Sequence, residues 1–173
     1  MSNKLRELIL VRHAKSDWKS ETNQDFDRPL SAKGKKTATK VGKWLQQQDL
    51  MPDQILLSPA LRTVQTFKRF CKECEIPYRL INELYLAELD TLIEVLQSAP
   101  NVKRLMVIGH NPGLEQLNRY LQGNHIDTGT ELFPTCSLAH FILPQDWQTL
   151  EAGDGHLQQF IRPKDIKLSD ESV

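Results

Sequence analysis

The chain has 173 residues, with 22 lysines and arginines against 22 aspartates and glutamates and a formal net charge of zero. That length suits one hydrophobic core, and 39% hydrophobic with 25% charged residues is the composition of a soluble globular protein, which excludes a wholly disordered chain. The charge balance argues against a general nucleic-acid binder, the longest apolar runs fall far short of the roughly 18 residues that span a bilayer, and three cysteines cannot close a disulfide framework.

The expected compartment is therefore the reducing cytoplasm, with no membrane partner. Met1-Ser2-Asn3-Lys4 is expected to start no signal peptide, because Arg6 and Glu7 precede only a short apolar run. That run, Leu8-Ile9-Leu10-Val11, reads as a strand buried on both faces of a parallel sheet. After the turn Arg28-Pro29-Leu30, Ser31 is placed to cap a helix over 31–48, in which Ala38, Val41 and Leu45 recur at helical spacing. A second strand over 55–57 leads to a helix that starts with Pro59 at its first position and runs to about Cys74. Its apolar stripe is Val64, Phe67, Cys71 and Cys74. A third helix covers 89–97, and a third strand, 105–108, precedes a helix after Pro112-Gly113 that carries Leu114, Leu117 and Leu121. Strands follow over 137–143 and 157–161, in a direction the pattern leaves open. The polar stretch after Pro163 has no core to join, so the organisation expected is one domain over 1–163 and a flexible tail over 164–173. Alternating strands and helices predict a three-layer α/β/α sandwich with a mainly parallel central sheet.

Chemistry in such sheets gathers beyond the C-terminal ends of the strands. The first strand runs into Arg12-His13, the second into Ser58-Pro59-Ala60-Leu61-Arg62, and the third into Gly109-His110-Asn111-Pro112-Gly113. Two histidines, two arginines and at least two helix N-termini thus share one end of the sheet. Helix N-termini favour anions, and arginine offers a fork of donors matched to phosphate oxygens. The implied ligand is a phosphoryl group. A metal site built from His13, His110, Asp17 and Glu83 is the chemical rival, but paired arginines repel a dication and no His-x-x-His type spacing is present.

Leu10-Val11-Arg12-His13-Ala14 resembles the Arg-His-Gly signature of the histidine phosphatase (phosphoglycerate mutase-like) superfamily. Arg12-His13-Ala14-Lys15-Ser16-Asp17-Trp18 followed by Asp27-Arg28-Pro29-Leu30-Ser31-x-x-Gly34 is most similar to the SixA-type phosphohistidine phosphatase branch. Ser58-Pro59-Ala60-x-Arg62-Thr63-x-x-Thr66 and Gly109-His110-Asn111-Pro112 match the family's later blocks in order. The resemblance implies a phosphoglycerate mutase-like fold and a phosphatase that needs no metal or other cofactor. It implies His13 as the nucleophile that becomes phosphohistidine, with Arg12, Arg62 and His110 holding the phosphoryl oxygens. Arg28 is a pocket neighbour by the same analogy, although Arg28-Pro29-Leu30-Ser31 also reads as a turn with a helix cap. Glu83, in Ile81-Asn82-Glu83-Leu84-Tyr85, resembles the segment that holds the proton donor in other members; it also reads as a solvated loop carboxylate. Ala14 replaces the usual glycine, and Lys19 stands where mutase-like members carry Asn, which weakens a sugar-phosphate mutase reading. The substrate implied is a phosphorylated protein, such as a phosphohistidine-carrying phosphotransfer domain, or a small phosphorylated molecule. A small-metabolite phosphomonoesterase and a non-catalytic phosphate-binding signalling module are the alternatives.

Cys71-Lys72-Glu73-Cys74 has redox-motif spacing, but its place on the helix stripe favours core packing for both sulfurs. His140 reads as a sheet histidine, Trp44 and Trp147 as packing residues, and Trp18 as the cover of a loop beside the site. Lys33, Lys35, Lys36, Lys40 and Lys43 form a basic helix face, either a solvated surface or a dock for an acidic partner.

Overall fold

Side chains that point alternately to the two faces of the sheet divide the apolar residues between two helix layers. In the computed structural model, which describes residues 5–22, 24–123, 133–143 and 146–169, the strands are β1 (Arg6–Arg12), β2 (Gln54–Leu57), β3 (Tyr78–Leu80), β4 (Arg104–Gly109), β5 (Leu138–Leu143) and β6 (His156–Ile161). The helices are α1 (Ala32–Gln47), α2 (Leu61–Phe70), α3 (Leu89–Gln97) and α4 (Gly113–Leu121). Ile9, Val11, Ile55, Leu57, Met106 and Ile108 face α1 and α2, while Leu8, Leu10, Leu56, Leu105 and Val107 face α3 and α4. Each of these side chains gains about 1.5–3 kcal/mol on leaving water, which is why near-continuous apolar strands sit between two helix layers. These layers make the α/β/α sandwich that the sequence predicts.

The sheet order is β3-β2-β4-β1-β5-β6, parallel from β3 to β1 and antiparallel for β5 and β6. The register places Arg12 opposite Gly109 and Leu57 opposite Ile108. Ser31 caps α1, its side chain accepting from the Gly34 N–H. A Cβ at Gly34 would collide with the Lys15 carbonyl oxygen, so glycine lets α1 approach the loop after β1.

Four local expectations are corrected. α2 begins after Ala60 rather than at Pro59 and stops at Phe70, so Cys71 and Cys74 lie beyond its stripe. They are joined in a disulfide, with Cys74 exposed, and core packing does not describe them. β3 has no counterpart in the sequence reading, because an edge strand of three residues, Tyr78-Arg79-Leu80, is too short to set up a period-two pattern. The tail expected over 164–173 does not hang free as far as residue 169. Ile166 is buried in the core cluster under α1, Lys40 Nζ donates to the Pro163 carbonyl at 2.9 Å, and the Ser169 N–H donates to Gln47 Oε1 at 3.1 Å. Ile166 and the partly buried Leu168, alone in a polar stretch, carry too little periodic signal to reveal a docked segment. Residues 170–173 of that expectation lie outside the described residues. No helix among the described residues is long and apolar enough to cross a membrane.

Candidate active site

Parallel register brings the two histidines together. Arg12 and Gly109 are paired across β1 and β4, and each is followed by a histidine, so His13 and His110 emerge side by side with ring centroids 5.3 Å apart. The backbone after β1 is held on both sides: the His13 N–H donates to the Gly109 carbonyl at 3.1 Å, and the Cys136 N–H donates to the Arg12 and His13 carbonyls at 3.0 Å. Cys136 sits there with a φ of 60°, and burial pushes its thiol up to about 12, leaving it inert.

His13 is buried, and its Nδ1 lies 2.7 Å from the Ala14 carbonyl. A carbonyl only accepts, so Nδ1 carries the proton and Nε2 keeps the lone pair. Desolvation, with smaller contributions from the charges of Arg62, Arg12 and Arg28, pulls the His13 pKa down to about 4 against the raising effect of the Ala14 bond. The imidazole is neutral at pH 7. His110 is pulled down to about 3 by desolvation first, then by His13 and Arg62. Ser58 Oγ lies 2.7 Å from its Nε2, and an Arg62 guanidinium N–H donates to its Nδ1 at 3.3 Å. That pairing places the His110 proton on Nε2, donated to Ser58.

Arg62 is only 2% exposed, in the first turn of α2. One of its terminal nitrogens donates to the Asp25 carbonyl at 2.7 Å and the other to Asp25 Oδ2 at 3.0 Å. Arg28 donates to Asp25 Oδ1 through Nε and a terminal nitrogen, at 3.2 and 3.0 Å, and to Ser16 Oγ at 2.6 Å. Its guanidinium also stacks 3.4 Å over the Trp18 ring. The Tyr85 hydroxyl donates to Asp25 Oδ2 at 2.5 Å. Burial alone would raise the Asp25 pKa, but Tyr85, Arg62 and Arg28 outweigh it and bring it down to about 2. Burial lowers the Arg12 pKa, and one Arg12 N–H donates to the Phe133 carbonyl at 3.0 Å. The Nε groups of Arg12 and Arg62 are buried without a partner among the described residues, a costly state that an anion would relieve.

Arg12, His13, Arg28, Arg62 and His110 therefore line one cleft of about 940 Å³. Glu83 does not join them. It is exposed and lines a separate hollow with Arg79, Thr91 and Glu94, because the 3-10 turn Asn82–Leu84 aims its buried residue, Leu84, inward. The sequence reading missed Asp25, Tyr85, Ser58 and Thr66 as site residues. Thr66 Oγ1 accepts from the Ala14 N–H at 3.0 Å and donates to the Arg62 carbonyl at 2.7 Å, tying the nucleophile loop to α2. The sign of Asp25 was its spacing three residues before Arg28, which gives the ion pair seen here. Among the described residues no group of three His, Cys, Asp or Glu side chains is arranged to hold a metal ion. His140 is a sheet histidine, with Nε2 3.1 Å from Glu7 Oε1.

Comparison with known proteins agrees with this geometry. The family model for the histidine phosphatase superfamily (branch 1) matches residues 8–92. An uncharacterized protein of Mycobacterium tuberculosis is 32% identical over 161 residues, covering 89% of this chain and 100% of that one. An uncharacterized chloroplastic protein of Arabidopsis thaliana is 36% identical over 137 residues, and the match covers 72% of this chain and 63% of the plant protein's length. Among solved structures, a candidate phosphohistidine phosphatase SixA from Nakamurella multipartitia superposes with a TM-score of 0.80 at 25% identity, covering 92% of this chain and 96% of that one.

Proposed function

The chain belongs to the histidine phosphatase superfamily, and from that premise we propose that it is a metal-independent phosphohistidine phosphatase with His13 as its nucleophile. That it is a phosphatase hydrolase follows from the family; the substrate and the residue roles are the proposal. The neutral His13 Nε2 attacks phosphorus, the P–N bond of the substrate breaks, and the pair of electrons leaves with the substrate imidazole. Water then attacks the phosphorylated His13, returning the free imidazole and releasing phosphate. Charge on the equatorial oxygens is met by Arg12, Arg62 and Arg28, which are fixed before the substrate arrives, while His110, with its ring nitrogens engaged by Ser58 and Arg62, holds the Arg62 guanidinium in place.

The observation that carries the choice of substrate is that, among the described residues, no carboxylic acid or protonated histidine lines the cleft. Among the described residues that line the cleft, Asp25 is the only carboxyl, and its arginine partners and Tyr85 keep it ionised. Both histidines are neutral as well. An ester oxygen leaves as an alkoxide unless an acid meets it, and such an acid is worth about 10²–10⁴-fold. A phosphoimidazole protonated on its distal nitrogen leaves as neutral imidazole and needs no such group. The resemblance to a candidate SixA phosphohistidine phosphatase supports the same substrate.

The test is a substrate panel of phosphohistidine, phosphoramidate, a phosphoserine peptide and an alkyl phosphate, each run with and without a chelator. The expected result is fast turnover of the P–N substrates, slow turnover of the esters and no effect of the chelator. Fast alkyl-ester hydrolysis would favour a small-metabolite phosphomonoesterase, and activity lost to the chelator and restored by a divalent ion would overturn the metal-free mechanism.

A further inference from the structure

Eight cationic side chains line the cleft against a single acid, Asp25, among the described residues, in a chain whose net charge is zero. Arg12, Arg28 and Arg62 account for the phosphoryl group. Of the remaining five, Arg162 is paired with Asp165 at 2.7 Å and Lys40 donates to the Pro163 carbonyl, so Lys15, Lys33 and Lys164 are the charges beyond what a doubly charged phosphoryl group needs. They come from the loop after β1, from α1 and from the turn after β6. Lys33 and Lys40 are seven residues apart on α1, two turns along one face, so only part of the basic helix surface turns toward the cleft. We propose that this rim docks the acidic face of a protein that carries the phosphohistidine, a reading that rests on the phosphatase chemistry proposed above.

Two features favour a protein over a small multiply charged molecule. The floor arginines Arg28 and Arg62 are buried and fixed by hydrogen bonds, as a cradle for a compact oxyanion requires. Lys15, Lys33 and Lys164 are instead exposed, and none carries a salt bridge among the described residues. Solvated ammonium groups supply a field that steers and orients an extended acidic surface, not a fixed socket. The second feature is apolar. Trp18 is 78% exposed and Leu86 is 50% exposed, and both line the same cleft. Leu86 has a φ of 49°, a left-handed backbone that a bulky residue rarely adopts, and it presents its side chain at the cleft all the same. Apolar anchors surrounded by charge are the make-up of a protein interface and would be idle against a small polyanion.

Three proteins test this: the wild type, Lys33→Glu/Lys164→Glu, and Leu86→Gly, which removes the anchor but suits the left-handed backbone. The probes are an acidic phosphotransfer domain phosphorylated on histidine, the same domain unphosphorylated, free phosphohistidine and a small bisphosphate. The double variant should lower kcat/KM for the phosphorylated domain by about 10–100-fold and weaken binding of the unphosphorylated domain to match, while free phosphohistidine changes less than about twofold. Leu86→Gly should act in the same direction more weakly, and added salt should reduce the wild-type rate only on the domain. Equal losses on domain and free phosphohistidine, or unchanged domain binding, would overturn the docking surface. A loss confined to the bisphosphate would assign the rim to a small polyanion and overturn it too. Wild-type protein that binds the domain but hydrolyses no P–N bond would sink the phosphohistidine reading while leaving the docking result to stand on the binding data.

Discussion

Arg62 at the floor of the cleft and Lys33 at its rim have the same charge and opposite circumstances. Arg62 is buried, bonded to Asp25 and His110, and placed by the first turn of α2. Lys33 stands exposed in the first turn of α1. The floor holds donors in place before substrate arrives, at the cost of burying charge. The rim keeps its charges solvated and acts only through their sum. Changes at the floor should therefore strike the chemical step for every substrate, while changes at the rim should register only for a partner large enough to reach it.

The largest effect should come from the nucleophile. His13→Ala is expected to remove turnover on every substrate, by about 10⁴-fold or more, with the thermal midpoint of the protein retained and vanadate still bound. Residual turnover near the wild-type rate would break the distinction at its root. Arg62→Ala should come next, with kcat/KM lowered by about 10²–10³-fold on the phosphorylated domain and on free phosphohistidine alike, because transition-state oxygens lose a fixed donor. A loss limited to the domain would place Arg62 with the rim.

The pH dependence sharpens the floor further. Burial holds the His13 and His110 pKa values at about 4 and about 3, below the ordinary value near 6.5. Activity should stay level as pH falls through 6.5 and decline only as it approaches about 4. Stability follows the opposite partner in the linkage. Below about 6.5 the unfolded chain takes up protons that the folded one refuses, so stability should fall with pH between about 6.5 and 4 and be fully present above that window. A kcat/KM profile with an acid limb at 6.5 would show a solvated nucleophile. The smallest effect is expected from Glu83→Gln, within about twofold on P–N and ester substrates, since the side chain lines a different hollow. A large loss on alkyl esters would return Glu83 to the proton-donor role.

Legibility in the sequence followed the same physics. β1, β2 and β4 were readable because strands buried on both faces have to be continuous apolar runs, and the site blocks were readable because each begins where such a run ends. Register then brought Arg12, His13, Arg62 and His110 together without further information. Tyr85 was not readable, since it lies 60 residues from its partner Asp25; Asp25 showed only its local spacing from Arg28, while its bond to Arg62 spans 37 residues that no periodicity connects. Glu83 kept two readings in the sequence, proton donor or solvated loop carboxylate, for a related reason: a resemblance in local sequence does not say which way a 3-10 turn points its carboxylate. The docked segment after Pro163 rests on one buried side chain, Ile166, and the disulfide between Cys71 and Cys74 depends on α2 ending at Phe70, a boundary that the apolar stripe overran.

The account stands on covalent transfer to His13, and rapid mixing with a phosphohistidine substrate labelled at phosphorus tests it most directly. The reaction is stopped in alkali, in which a phosphoimidazole survives, and the digested protein is mapped for label. The expected result is stoichiometric, acid-labile label on the peptide that contains His13 in the wild type within one turnover, and none in His13→Ala. Release of labelled phosphate at full rate with no label on the protein at any time would contradict the covalent mechanism, because water would then be attacking the substrate itself.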